Sequence, residues 1–282
     1  MSIFAEPKID CHVHVLDPAR FPYGSDVPYR PAGAEIGTAE QLGHLMRAHG
    51  VKHALLVQPD SGYGPDNRCM LDAIASGEGL FKGIAIVGLD ASLAELRALK
   101  AEGVVGVAFN VAFWGLSRYA GAEALLGRLA DLDMLLNLQV AGDQIEALAP
   151  LIETSGGRVL IDHCGRPALA EGIEGPAFSS LLRLAGTGRV FIKLSGYSKI
   201  SQQAFPHEDM WPFVRALVRE FGLERCVWAS DWPFLRSPER QDYGTILSLV
   251  ETLFPNRMER SQVLWTTPAS LLGLGASSRD GA

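Results

Sequence analysis

Short apolar runs recur along the chain, each separated from the next by a stretch with apolar positions at helical spacing. The runs are KIDCHVHV (8–15), VKHALLVQ (51–58), FKGIAIV (81–87), VVGVAFN (104–110), MLLNLQV (134–140), RVLID (158–162), RVFIKLS (189–195) and RCVWAS (225–230). They are short and rich in β-branched residues, as strands covered on both faces of a parallel sheet are. Helical spacing is clearest in 39–50, 92–103, 122–133, 142–157, 210–222 and 243–254. Gly50 and Gly103 supply stops at the ends of the first two of these. Strand and helix alternating eight times predict an α/β protein, a (β/α)8 TIM-type barrel forming a single domain over 1–282. An open doubly wound sheet would call for a Gly-rich phosphate turn after the first strand, and CHVHVLDPARF has no glycine. The tail GASSRDGA (275–282) reads as frayed. The connection from Asp17 to Thr38, rich in Pro, Gly and Tyr, leaves the C-terminal end of strand one. Barrel active sites are built at that end, and long loops inside compact domains are usually functional.

Composition narrows the class. With 48% hydrophobic and 20% charged residues, the 282-residue chain can bury a large core. The net charge is −7 and no Lys/Arg run occurs, which argues against nucleic acid as a partner. Local arginines can still bind a small carboxylate. Cys11, Cys69, Cys164 and Cys226 are far apart and lie in or beside apolar segments, so they read as buried thiols, not as a zinc ribbon or a disulfide framework. The N-terminus has no signal-peptide pattern, and no apolar run is long enough to span a membrane. The expectation is a soluble cytoplasmic protein in a reducing compartment, acting on a small molecule and free to form a homo-oligomer.

The candidate chemistry sits at strand ends. His12 and His14 are two residues apart on one strand, so their side chains share a face. Two buried histidines used only for packing would each need a buried partner. His163 follows strand six in LIDHCGRP, with Arg166 three residues on. Asp231 follows strand eight in WASDWPF, where an Asp also serves as a helix cap. Strands one and eight adjoin in a closed barrel, so His12, His14 and Asp231 should converge, with His163 facing them. Such a set suits two jobs. It can hold a divalent metal, zinc or manganese, through His12, His14 and Asp231. Alternatively, Asp231 can activate water while the histidines donate to a carbonyl oxygen gaining charge.

The HxH pair, DHCGRP and SDWP, in that order on those strands, resemble the amidohydrolase superfamily. The likeness is to its branch of 2-pyrone-4,6-dicarboxylate lactonase and related sugar-lactone and muconolactone hydrolases. DPARFPYGSDVPYRP, GVKHALLVQPDSGYGPDNRCMLDAI and KLSGYSKIS fit the same branch. The resemblance implies hydrolysis of a lactone, from aromatic or sugar-acid catabolism. Asp231 would activate water, His12, His14 and His163 would polarise the carbonyl, and Tyr29 and Arg166 would lie near substrate. Metal-dependent relatives carry a Lys or Glu after strand four and a His after strand five. Here those strands end in VAFN and LNLQ, with Gln139 in the latter place, which favours catalysis without a cofactor. Lys199 stands about where the pyrone enzyme has an arginine, and a lysine cannot form the bidentate fork. Arg118, Tyr197 and Asn67 are further substrate-binding candidates, although Asn67 also fits a helix cap. A zinc-dependent decarboxylase of the same superfamily is the alternative.

Overall fold

The computed structural model describes residues 2–274, so the tail at 275–282 lies outside the described residues. Eight strands form one parallel sheet in chain order: β1 (Lys8–Val13), β2 (Val51–Val57), β3 (Phe81–Ala85), β4 (Val104–Asn110), β5 (Leu135–Gln139), β6 (Val159–Ile161), β7 (Val190–Leu194) and β8 (Cys226–Trp228). The sheet curls round until β8 meets β1. There, the Asp231 N–H donates to His12 O at 2.9 Å and the His14 N–H to Trp232 O at 2.8 Å. Together these observations define the predicted (β/α)8 barrel.

Helices return the chain between strands. Ala39–His49 starts on a capping box in which Thr38 and Gln41 satisfy each other's backbone N–H, and it ends on Gly50 at φ 71°. Arg68–Ser76 and Pro176–Arg183 complete the ring and were not singled out by periodicity. Both are short, nine and eight residues, so each offers barely two turns of pattern.

Two apolar layers result. The larger lies between sheet and helices and includes Val13, Leu56, Val107, Phe213 and Leu247. The smaller fills the barrel with Ile9, Cys11, Leu55, Leu135, Leu160 and Val227, closed from one end by Leu271 and Leu272. These contacts lie at the N-terminal halves of the strands. Further along the same inward faces, side chains turn polar: Asn137 and Gln139 on β5, Asp162 after β6, Lys193 on β7 and Asp231 after β8.

Strand β1 departs from simple alternation. Ile9 and Cys11 belong to the barrel filling and Val13 to the outer layer, although all three share one parity. The β1–β2 register slips between Asp10 and Val13, and beyond the slip His12 contacts side chains of β6 and β7 inside the barrel. The slip is what turns both histidines inward. Asp10 pins the distorted strand. Its Oδ1 accepts from the backbone N–H of Ser230 at 2.9 Å and of His12 at 3.2 Å, and its Oδ2 accepts from the Tyr243 hydroxyl at 2.8 Å.

Candidate active site

The C-terminal ends of the strands surround a cavity of about 500 Å³. His12, His14, His163 and Asp231 meet at its floor, and Tyr29, Gln139, Arg166 and Lys199 also line it. The other sequence candidates sit elsewhere. Asn67 spends its amide on the backbone of Ile86, donating to its carbonyl at 2.9 Å and accepting from its N–H at 3.0 Å. Exposed Arg118 lies over the Trp114 ring, 5.8 Å from its centre. Tyr197 is buried behind the floor, in a smaller cavity reached by Lys199 and Asp231.

One oxygen organises the floor. Asp231 Oδ1 lies 3.7 Å from His12 Nε2, 3.7 Å from His14 Nε2 and 3.9 Å from His163 Nε2. It is buried and has no hydrogen-bond partner among the described residues. Asp231 Oδ2 instead pairs with Lys199 Nζ. Burial alone would raise the Asp231 carboxyl, but Lys199 and the imidazoles outweigh it and hold the group well below the usual carboxylate range.

The ring nitrogens facing away from the cavity decide what the inner ones can do. His14 Nδ1 is 2.7 Å from Val57 O, an acceptor, so it carries the proton and Nε2 presents a lone pair. His163 Nδ1 meets Ser195 Oγ at 3.0 Å. His12 Nδ1 lies between Asp162 Oδ1 at 3.3 Å and Lys193 Nζ at 3.1 Å. Burial, with the Lys193 ammonium adding to it, pushes the His12 imidazole down to about 3. Burial likewise takes His163 down to about 4, against the pull of Asp231 and Asp162. Both rings are therefore neutral near neutral pH. In the ring form with a single proton, His14 donates that proton from Nδ1 to the backbone and turns Nε2 to the cavity as an acceptor.

Beneath this floor lies a second charged group that the motifs did not reveal. Lys193 is fully buried and reaches Asn137 Oδ1 at 2.6 Å, Asp162 Oδ1 at 2.8 Å and His12 Nδ1 at 3.1 Å. Asn137 Nδ2 donates to Asp162 Oδ2 at 2.8 Å. Burial raises the Asp162 carboxyl, but Lys193 and His12 more than reverse that and hold it well below the usual range. A lysine and an asparagine inside otherwise apolar strands were the available signal, because buried charges need partners.

Local backbone strain supports the site. His163, Cys164 and Arg166 have φ of 50°, 55° and 45°, and Asp231 has φ 66°. Non-glycine residues in the left-handed region cost about 1–3 kcal/mol each and concentrate at functional sites. Gly196, at φ 71°, leaves room for the His163 ring; a Cβ there would come within 2.7 Å of it.

A parallel barrel carrying a carboxylate ringed by imidazoles at its C-terminal end defines a barrel enzyme of hydrolytic type. The chain matches the amidohydrolase family over residues 9–274, and it belongs to that family. It is 35% identical to a 4-sulfomuconolactone hydrolase from Rhizobium radiobacter, over 96% of this chain and 92% of the relative. A crystal structure of a probable 2-pyrone-4,6-dicarboxylic acid hydrolase from Acinetobacter baumannii, holding citric acid, superposes with a TM-score of 0.83 at 28% identity. That match covers 94% of this chain and 99% of the other. A 2,6-dihydroxybenzoate decarboxylase from Rhizobium shares the fold alone, at 15% identity and a TM-score of 0.65, over 95% and 99% of the two chains.

Proposed function

We propose that this protein hydrolyses a lactone. The observation that carries the reading is Asp231 Oδ1, an unsatisfied carboxylate oxygen among three imidazole Nε2 atoms at the floor of a substrate-sized cavity. A buried acceptor left without a donor is costly, and such a group is best explained as one awaiting a ligand. Water bound there would give a proton to Asp231 as its oxygen adds to the ring carbonyl; the ring C–O bond then breaks as the leaving oxygen takes that proton from Asp231, giving a hydroxy acid. Arg166 is half-buried, and no hydrogen bond or ion pair is found for its guanidinium among the described residues. This places a cation where an anionic substituent could bind. Tyr29, Gln139 and Lys199 would orient the ring.

The same donor set fits one divalent ion. His14 Nε2 offers a lone pair, its distance to His12 Nε2 is 3.2 Å, and Asp231 Oδ1 completes a converging group. Such an ion, zinc or manganese, would polarise the carbonyl and acidify water. His12 can serve either chemistry. With Nδ1 accepting from Lys193 its proton is on Nε2 and faces the cavity. With Nδ1 donating to Asp162, Nε2 becomes a lone pair. Strands β4 and β5 end in Asn110 and Gln139, which offer no charged ligand for a second ion.

The decarboxylase alternative has only the fold likeness behind it, whereas relatives at 35% and 28% identity carry lactone-hydrolase names. Four free, buried cysteines and no helix able to cross a membrane among the described residues support a cytoplasmic setting. A panel of lactones assayed with and without chelator is the test. Ring opening is expected; decarboxylation of hydroxybenzoates with no lactone turnover would overturn the proposal. Loss of turnover to chelator, restored by one equivalent of zinc or manganese, would assign the ion.

A further inference from the structure

The cavity wall is divided by charge in a way the proposed reaction does not require. The Arg and Lys side chains that line it come from one arc of the barrel: Arg166 after β6, Lys199, paired with Asp231, after β7 and Arg236 after β8. The opposite arc is apolar and acidic. Phe109 and Asn110 on β4 are followed by Ala112 and Phe113, and Asp60 follows β2. Because the sheet runs β1 to β8 in order round the barrel, the ends of β2 and β6 face each other across the cavity.

Asp60 is fixed in place. Its Oδ2 accepts from Asn110 Nδ2 at 2.8 Å and its Oδ1 from the Trp114 indole N–H at 2.9 Å. Neither partner is a cation, so among the described residues no opposite charge pairs with this cavity-lining carboxylate. Gln58, on the same arc, donates through Nε2 to Gly64 O and Asp66 O, both at 3.0 Å. Those two carbonyls fix the amide's orientation, so the remaining Oε1 can only accept, and it is buried without a donor. This arc therefore offers acceptors and negative charge. A second anionic substituent pointed at it would meet a like charge, which discriminates against that substrate.

We infer that the substrate is a monoanionic lactone, its single carboxylate or sulfonate held on the β6–β8 side and its other end uncharged, with a hydroxyl toward the Asp60 wall. The inference rests on the lactonase reading and narrows it, since a dianionic lactone would place one charge against Asp60. Phe109 and Phe113 cover the ring between the two ends.

The test is a matched pair of lactones that differ only at the end away from the anion, hydroxyl in one and carboxylate in the other. Wild-type kcat/KM should favour the hydroxyl compound by about tenfold or more. Asp60→Asn should shrink that ratio at least threefold, by removing the like charge. Equal or better turnover of the dianion by the wild type overturns the inference, as does a ratio unmoved by Asp60→Asn in a folded variant. Calorimetric binding of the two corresponding lactams reads the same preference without turnover. Tighter binding of the monoanionic lactam by a protein that opens no lactone keeps the inference and removes the hydrolase reading. Lactone turnover with preference for the dianion does the reverse. Failure of both lactams to bind overturns the inference.

Discussion

Two buried charged clusters lie one above the other in this barrel, and they differ in how well they are satisfied. In the lower one, Lys193 Nζ lies within hydrogen-bond distance of Asn137 Oδ1, Asp162 Oδ1 and His12 Nδ1, and both oxygens of Asp162 receive donors. In the upper one, Asp231 Oδ1 lies among three ring nitrogens, all beyond hydrogen-bond distance, with nothing donating to it. The groups are alike in kind, a carboxylate with cationic and imidazole neighbours. A closed network is complete within the protein and holds the barrel together. An open one is complete only with something bound. The lower cluster should therefore matter most for stability and the upper one for turnover.

Asp231→Asn puts the sharpest strain on that contrast. It should lower lactone turnover by about 100- to 10,000-fold, the range for loss of a general base. Its denaturation midpoint should move less than that of a lower-cluster variant. Full activity in Asp231→Asn would remove the upper cluster from the chemistry. Lys193→Met tests the other half. Leaving Asp162 buried without its cation should cost about 3–5 kcal/mol of stability, read from urea unfolding. A stability unchanged from wild type would mean that the lower network is not the structural one.

Gly196→Ala is a smaller change that reaches the upper cluster through packing. The left-handed backbone alone costs an alanine about 1–2 kcal/mol. The added methyl would also displace His163, so kcat should fall together with stability. A variant less stable but fully active would show that the placement of His163 is not critical.

Acid titration gives the mildest test. The folded-state values of His12 and His163, about 3 and about 4, lie below the ordinary 6.5. Their neutral forms therefore contribute stability that is full above 6.5 and lost as pH falls through about 4. Asp10 acts in the opposite sense. Burial raises its carboxyl to about 6 from 3.8, so its contribution is full below 3.8 and lost as pH rises through 6. Asp10→Asn keeps an acceptor oxygen but removes that opposing part. Its stability should fall more steeply than wild type between pH 6 and 4; an unchanged slope would show that Asp10 does not titrate as its burial implies.

Much of the site was legible in the chain. HxH, DHCGRP and SDWP each follow or end an apolar run, and barrel topology brings strand ends together. Tyr29, Gln139, Arg166 and Lys199 reach the cavity from loops or strand ends, as their positions suggested. Asn67, Arg118 and Tyr197 occupy similar sequence positions yet turn to the backbone, to an indole face and to the layer behind the floor. Sequence position fixes which loop a residue is on, not which way it turns within that loop. Asp60 and Arg236 were missed for the converse reason: nothing in the surrounding motif marks a loop charge as facing a cavity.

Taken alone, the sequence determined the alternation of strand and helix, the barrel it implies and the end at which the chemistry sits. These follow from periods of two and 3.6 residues, which are local. Tertiary structure decided which faces and partners those residues have. Regular alternation places Val13, like Ile9 and Cys11, on the face opposite His12 and His14; only the slip against β2 turns the histidines inward beside Cys11. Lys193 reads as one charge in an apolar strand until folding brings it to His12, 181 residues away, and to Asn137, 56 away. Lys199 likewise gains its meaning from Asp231. Distances of that kind are set by how eight strands close on one another, and no local period encodes them.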